Sequence, residues 1–237
     1  MKRAFTLAEV LITIAIVGIV AAITIPTLIN MYKVKVLENQ FKKTNSILQQ
    51  ALTRSLVEIG YNDVTELNIP GRHVTDENYA ELKDNVAKLN EFWINQFVGA
   101  KKVDRSYLRR KKISCYDMLG VKLSSGETCL FPVGNDGSYM LVDGILVSKL
   151  YAYNGGTNHP GIIRFVFDIN GPEKGPNRWG HDIFQYNSVA DYNECNPVKG
   201  SSHSNEGCYY WASRNINPIE KSKSYWSMLY KPKSYFE

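Results

Sequence analysis

The 237-residue chain is poor in the groupings from which active sites are usually built. Its four histidines, His73, His159, His181 and His203, stand apart in turn-rich contexts, and there is no G-x-S-x-G, H-E-x-x-H or Walker-type loop. His181 beside Asp182 is the nearest approach to an acid/base pair, but neighbours on a strand point to opposite faces. An enzyme is therefore not expected. There are only four cysteines, and none stands in C-x-x-C spacing, which argues against a zinc site. No internal repeat and no low-complexity tract is visible, so a second domain is not expected. The net charge is a modest +5, and the one compact basic run, Arg109-Arg110-Lys111-Lys112, reads as a solvated loop. Nucleic acid is accordingly not an expected partner.

Long apolar runs are also scarce, with one exception. Residues 5–29, FTLAEVLITIAIVGIVAAITIPTLI, are apolar apart from Glu9 and four threonines. The twenty residues from Val10 to Ile29, at about 1.5 Å each in a helix, cover the roughly 30 Å hydrocarbon core of a bilayer. A carboxylate at the edge of such a span is costly to desolvate, so Glu9 calls for a cationic partner.

The order of a short basic leader (MKRA), a small residue at its end (Ala4), then Phe-Thr-Leu-x-Glu and the long apolar run resembles the leader of prepilin-like proteins, the type IV pilins and the pseudopilins of type II secretion. The resemblance implies cleavage by a prepilin peptidase between Ala4 and Phe5 and N-methylation of Phe5. It further implies that the Glu9 carboxylate pairs with the N-terminal ammonium of a neighbouring subunit in a filament. Pro26 falls where many pilins carry a helix-kinking proline. Ala4 departs from the family, most of whose members end the leader with Gly. Two other readings explain less. A secretory signal cut after Ala22 would have an overlong apolar region containing Glu9, and a generic single-pass anchor accounts for the length but not for the order of residues.

Counting charges predicts the wrong side of the membrane for such a protein. Lys33, Lys35, Lys42 and Lys43 after the span outnumber Lys2 and Arg3 before it. Large domains translocate largely regardless of charge, and the cysteines point to an oxidising compartment, so the C-terminal part is expected to be extracytoplasmic. Without Lys2 and Arg3 the balance is 26 basic against 23 acidic residues, or +3.

Past the span the helix does not stop. Val34, Leu37, Phe41, Leu48, Leu52, Leu56 and Ile59 keep to one helical face until Gly60. This gives a helix of roughly 55 residues and about 80 Å. Pro70-Gly71 marks a turn, and Thr75 or Asp76 caps a second helix with Tyr79, Leu82, Val86, Leu89, Trp93 and Phe97 on one face, ending at Gly99. Strands are predicted over 113–119, 128–133, 139–142, 145–151 and 162–169, separated by glycine-containing turns. The predicted fold is α+β, a pilin-like long N-terminal helix on an antiparallel head, with a leader at 1–4, a membrane and assembly half at 5–32, and a head at 33–237.

Cys115, Cys129, Cys195 and Cys208 allow three pairings, which spacing alone leaves open. Neighbour pairing would close two short loops, the second near the C-terminus, where many pilins carry a disulfide-bounded loop. Residues 167–186, FDINGPEKGPNRWGHDIFQY, resemble a D-x-N-G…G-P-N…G-x-D-x-F segment of many prepilin-like proteins. Asp168, Asn170 and Asp182 are hard oxygen ligands of the kind Ca²⁺ takes, while the plainer reading makes this a glycine-rich turn whose aspartates cap backbone amides. The aromatic C-terminal end, with Trp211, Tyr225, Trp226, Tyr230 and Tyr235, suits either core edge or a partner surface.

The function expected is a structural subunit of a type II secretion pseudopilus or type IV pilus-like filament. Its partners would be copies of itself or other pilin-like subunits, prepilin peptidase, an inner-membrane assembly platform and membrane lipid. The alternative is a single-pass anchored extracytoplasmic binding domain, with or without Ca²⁺, that does not polymerise.

Overall fold

The computed structural model of the chain describes residues 6–70, 74–103, 107, 114–122, 137–154, 160–189, 208–231 and 233–235. Helix α1 runs without interruption over Leu7–Glu58, 52 residues, or about 78 Å. It ends as the predicted glycine requires: Gly60 follows the C-cap at φ +88°, and the Tyr61 N–H returns to the Leu56 carbonyl at 3.0 Å. Helix α2, Asp76–Asn95, starts at Thr75, whose hydroxyl accepts from the Asn78 N–H while the Asn78 side chain accepts from the Thr75 N–H. It stops four residues before Gly99, and a turn fills the interval.

The strands are β1 (Lys101–Val103), β2 (Ser138–Met140), β3 (Leu146–Ser148), β4 (Tyr151–Asn154), β5 (Gly161–Asp168) and β6 (Ile183–Asn187). All pairings between them are antiparallel. β5 is the axis of the sheet. β6 lies along one side, and β3 and β4 lie end to end along the other, through Leu146↔Asp168 and Tyr151↔Arg164. A short helix α3, Tyr209–Arg214, follows in the C-terminal part.

The sequence reading needs three corrections among these strands. The run 145–151 is two strands, because the chain breaks at Lys149–Leu150, where Asn90 of α2 donates to the Leu150 carbonyl (2.7 Å) and accepts from its N–H (2.9 Å). Residues 114–119 do not form a strand; Tyr116 makes isolated bridges to Lys122 and Arg178, and a turn follows. β1 and β6 were not anticipated. The strand expected over 128–133 lies outside the described residues.

The core sits where the second half of α1 and one face of α2 meet the sheet. Leu37, Phe41, Leu48, Leu52 and Leu56 are buried as the spacing predicts, and Thr44, Ala51 and Ser55 join them. Phe41 is the hub, its ring 4.7 Å from Phe184 and 5.3 Å from Trp226. A smaller cluster of Val103, Cys115, Leu146, Val166, Trp179 and Ile183 forms a second buried group. β5 and β6 are buried at every position, so they show no alternation of apolar and polar residues.

Candidate functional site

The first candidate is the N-terminal half of α1. Fifteen large apolar side chains between Leu7 and Tyr32 are exposed, whereas Leu37 is the first fully buried residue of the helix. At about 2 kcal/mol for each such side chain left in water, the exposure amounts to on the order of 30 kcal/mol, far more than a domain's net stability. This half of the helix therefore requires lipid or protein around it. Its polar atoms are already arranged for that surrounding: the hydroxyls of Thr13, Thr24 and Thr27 donate to the carbonyls of Val10, Val20 and Ile23. Pro26 stands inside the helix and, having no N–H, leaves the Ala22 carbonyl without its helical donor.

Glu9 is satisfied locally, which the sequence reading did not anticipate. Its carboxylate accepts from the N–H and from the hydroxyl of Thr6, each at 2.8 Å, and its own N–H donates to the Thr6 hydroxyl at 3.3 Å. Thr6-x-x-Glu9 is thus a capping box at the start of α1. The signal was present in the sequence as a threonine three residues before a glutamate. Glu9 makes no ion pair with a described residue, and its carboxylate remains exposed at the end of the apolar surface. Ala4 and Phe5 lie outside the described residues.

The second candidate is the loop between β5 and β6. Asp168 ends β5 fully buried, with Oδ1 accepting from the N–H groups of Asn170 (3.1 Å) and Gly171 (2.8 Å). Asp182 is equally buried and uses both oxygens on backbone, accepting from the Asn177 N–H at 2.7 Å and the Arg178 N–H at 2.6 Å. Asn170 Nδ2 donates to the Gly175 carbonyl, and Asn177 Nδ2 to the Pro172 carbonyl. Gly171 sits at φ +84°, and a Cβ there would stand 2.3 Å from the Gly144 carbonyl oxygen, so no other residue fits. The Arg178 guanidinium donates to the Met118 carbonyl, and Tyr225 Oη to the Gly180 carbonyl at 2.6 Å.

Burial, and then the neighbouring Asp182 charge, hold the Asp168 carboxyl well above the usual carboxylate range. Burial likewise lifts Asp182, to about 7, against the pull of the amides it accepts from. His181, in the same turn, is pushed down to about 3 by burial and then by the Arg178 charge, so its ring is neutral, and neither nitrogen has a partner among the described residues. His181 and Asp182 do not form an acid/base pair, since both Asp182 oxygens are taken up by backbone N–H groups. The expected set Asp168, Asn170 and Asp182 is brought into one loop. Asn177, which the sequence reading passed over, belongs with them; it stands in the left-handed region at φ +53°, as asparagine after a glycine-proline pair can.

Cys115 and Cys208 are fully buried. Cys129 and Cys195 lie outside the described residues, and so does the pairing. The basic run 109–112 also lies outside them. Trp226 and Tyr225 are buried core, while Tyr230 is exposed, which divides the aromatic C-terminal end between the two roles considered for it. Among the described residues no group of three or more His, Cys, Asp or Glu side chains stands ready for a metal ion.

These features define an α+β head carried on a long helix whose free half has the length and composition of a membrane anchor. Residues 1–25 match the prokaryotic N-terminal methylation motif, the signature of prepilin-like proteins. No curated protein and no solved structure matches the chain.

Proposed function

We propose that the chain is a structural subunit of a type II secretion pseudopilus or type IV pilus-like filament, stored in the bacterial inner membrane with its head extracytoplasmic. Prepilin peptidase cuts between Ala4 and Phe5, Phe5 is N-methylated, and subunits stack through the first half of α1 by way of an inner-membrane assembly platform. The observation that carries this reading is the apolar, head-free half of α1 beginning within the methylation motif at residues 1–25. Lipid covers that half before assembly and neighbouring subunits cover it afterwards. The role is one of assembly, not catalysis. Disulfides Cys115–Cys129 and Cys195–Cys208 brace the head in an oxidising compartment.

One observation favours the alternative, an anchored extracytoplasmic binding domain that does not polymerise. The Glu9 carboxylate already has hydrogen-bond donors within its own chain. Mass spectrometry of the N-terminus of protein purified from cells with an active prepilin peptidase separates the two. N-methyl-Phe5 is expected, and an intact Met1 or a chain starting at Ile23 overturns the filament reading.

A further inference from the structure

Three oxygens in the turn after β5 are unaccounted for by the fold. Asp168 Oδ2, Asn170 Oδ1 and Asn177 Oδ1 are buried with no hydrogen-bond partner among the described residues. The three residues are 0 %, 7 % and 8 % exposed. Neither amide can simply be turned over. Asn170 Nδ2 donates to the Gly175 carbonyl at 2.8 Å and Asn177 Nδ2 to the Pro172 carbonyl at 2.9 Å, so a flip would set oxygen against oxygen. The Asp168 carboxylate is fixed as well, because its other oxygen accepts two backbone N–H groups. Both amide braces cross the same ten-residue turn, 168–177, and lock the side chains that carry the unpartnered oxygens.

Buried acceptors left unmade are a liability that folded proteins rarely carry three at a time in one turn. Here all three are acceptors, one is a carboxylate oxygen, and two are amide oxygens. This is the ligand chemistry of a hard cation, with loop carbonyls and water to complete the shell. Local charge agrees. Asp168 and Asp182 are both buried carboxyl groups, the Arg178 guanidinium is spent on the Met118 carbonyl, and the Lys174 charge, the last and smallest of the influences on Asp168, offsets one of the two carboxyls at most. Ca²⁺ tolerates an irregular shell of neutral oxygens, whereas Mg²⁺ demands a tight octahedron and keeps its waters.

We propose that the 168–177 turn binds one divalent cation, Ca²⁺ by its chemistry, through Asp168 Oδ2, Asn170 Oδ1 and Asn177 Oδ1. Asp182 is a positioning residue that holds the Asn177–Arg178 backbone and is not itself a ligand. The site does not depend on whether the chain polymerises, so its failure and that of the filament reading are distinguishable.

The test uses the full chain in detergent micelles, dialysed against EDTA and then given Ca²⁺ or Mg²⁺ alone. Equilibrium dialysis should find one tightly bound Ca²⁺ per chain, with Mg²⁺ binding more weakly. Ca²⁺ at about 100 times its Kd should raise the melting temperature by several degrees. Asp168→Asn keeps the acceptor that the Asn170 and Gly171 amides need and puts an NH₂ where the free oxygen was. It should lose both the bound ion and the Ca²⁺-dependent shift, while melting in EDTA no lower than the unsubstituted chain. Indole-sensitised Tb³⁺ luminescence, displaced by Ca²⁺ and lost in Trp179→Phe, places the ion at this turn even if Asp168→Asn fails to fold. No bound Ca²⁺, equal melting in Ca²⁺ and EDTA, full binding by Asp168→Asn, or emission unchanged in Trp179→Phe each overturns the proposal.

Discussion

The two halves of α1 are one continuous helix built by opposite rules. From Leu7 to Tyr32 nearly every position is apolar and exposed. From Leu37 to Leu56 a single face is buried against the sheet, while Glu38, paired with Lys35 and Lys42, and other polar residues line the outside. No break in the backbone marks the change. What changes is the pattern, from apolar all round to amphipathic, and with it the surroundings each half demands. The first half is specified for whatever comes to cover it, and the second for its own head. Substitutions in the two halves should therefore fail in different assays.

The largest effect is expected at the tip of the first half. Glu9→Gln keeps the capping box, in which glutamine serves as well as glutamate, but removes the charge. If Glu9 pairs with a neighbouring Phe5 ammonium, that ammonium is left buried and unpaired at about 3 to 5 kcal/mol per subunit, a cost repeated along the fibre. Filaments should be absent while membrane levels and head stability stay normal. Thr6→Ala does the reverse, losing the cap at about 1 kcal/mol and keeping the charge, and should still assemble. Sheared-filament yield beside membrane abundance decides the matter. Normal filaments from Glu9→Gln with none from Thr6→Ala would make Glu9 a cap and no more.

Next in size is a matched pair of truncations. Phe41→Ala empties the hub between Phe184 and Trp226 and should cost about 3 to 5 kcal/mol in head stability, read from urea unfolding in detergent. Ile14→Ala removes an exposed side chain and should leave that curve unchanged. A measurable loss from Ile14→Ala would mean that the first half contributes to the head after all.

How legible each part was follows the same division. The long helix, its glycine stop and the Thr75 cap could be read because their causes are local: periodicity, a positive φ and a side chain three residues away. The buried face of α1 was read as its large apolar residues alone. Thr44 and Ser55 were missed because a hydroxyl can be buried cheaply by bonding its own helix, as Ser55 does to the Ala51 carbonyl at 2.8 Å. β6 was hidden because a strand buried on both faces has no alternation, and Gln185 and Asn187 made it look like loop. The β3–β4 break depends on Asn90, some sixty residues away, and nothing near Leu150 announces it. In the 168–182 loop the sequence left two tasks open for the aspartates, cation ligand or cap of backbone amides, and Asp182 takes the second. Which oxygens a loop spends on its own amides is decided by geometry, and both of those of Asp182 are spent.

The smallest effect sharpens the comparison at the seam between α1 and the head. Tyr209 is buried, its hydroxyl donating to Asn45 Oδ1 at 2.7 Å and accepting from Gln49 Nε2 at 2.9 Å, both on α1. Burial pushes its phenol up to about 12. An acid whose folded value lies above its unfolded one, near 10, stabilises the fold fully below pH 10 and loses that contribution as pH rises toward 12, at up to about 1.4 kcal/mol per unit. Tyr186 and Tyr225 are also raised by burial, so the unsubstituted chain alone cannot isolate the effect. Tyr209→Phe can. At pH 8 it should be less stable by about 1 kcal/mol, the value of the lost hydrogen bonds. Between pH 10 and 12 the gap should close and then change sign, because phenylalanine has no proton to lose. In the other half, Thr13→Val removes a hydroxyl bonded only to the Val10 carbonyl and should shift the head's unfolding at no pH. Parallel curves for Tyr209→Phe and the unsubstituted chain up to pH 12 would show that the hydroxyl is not held at the seam, and that Tyr209 meets the second half of α1 through apolar contact alone.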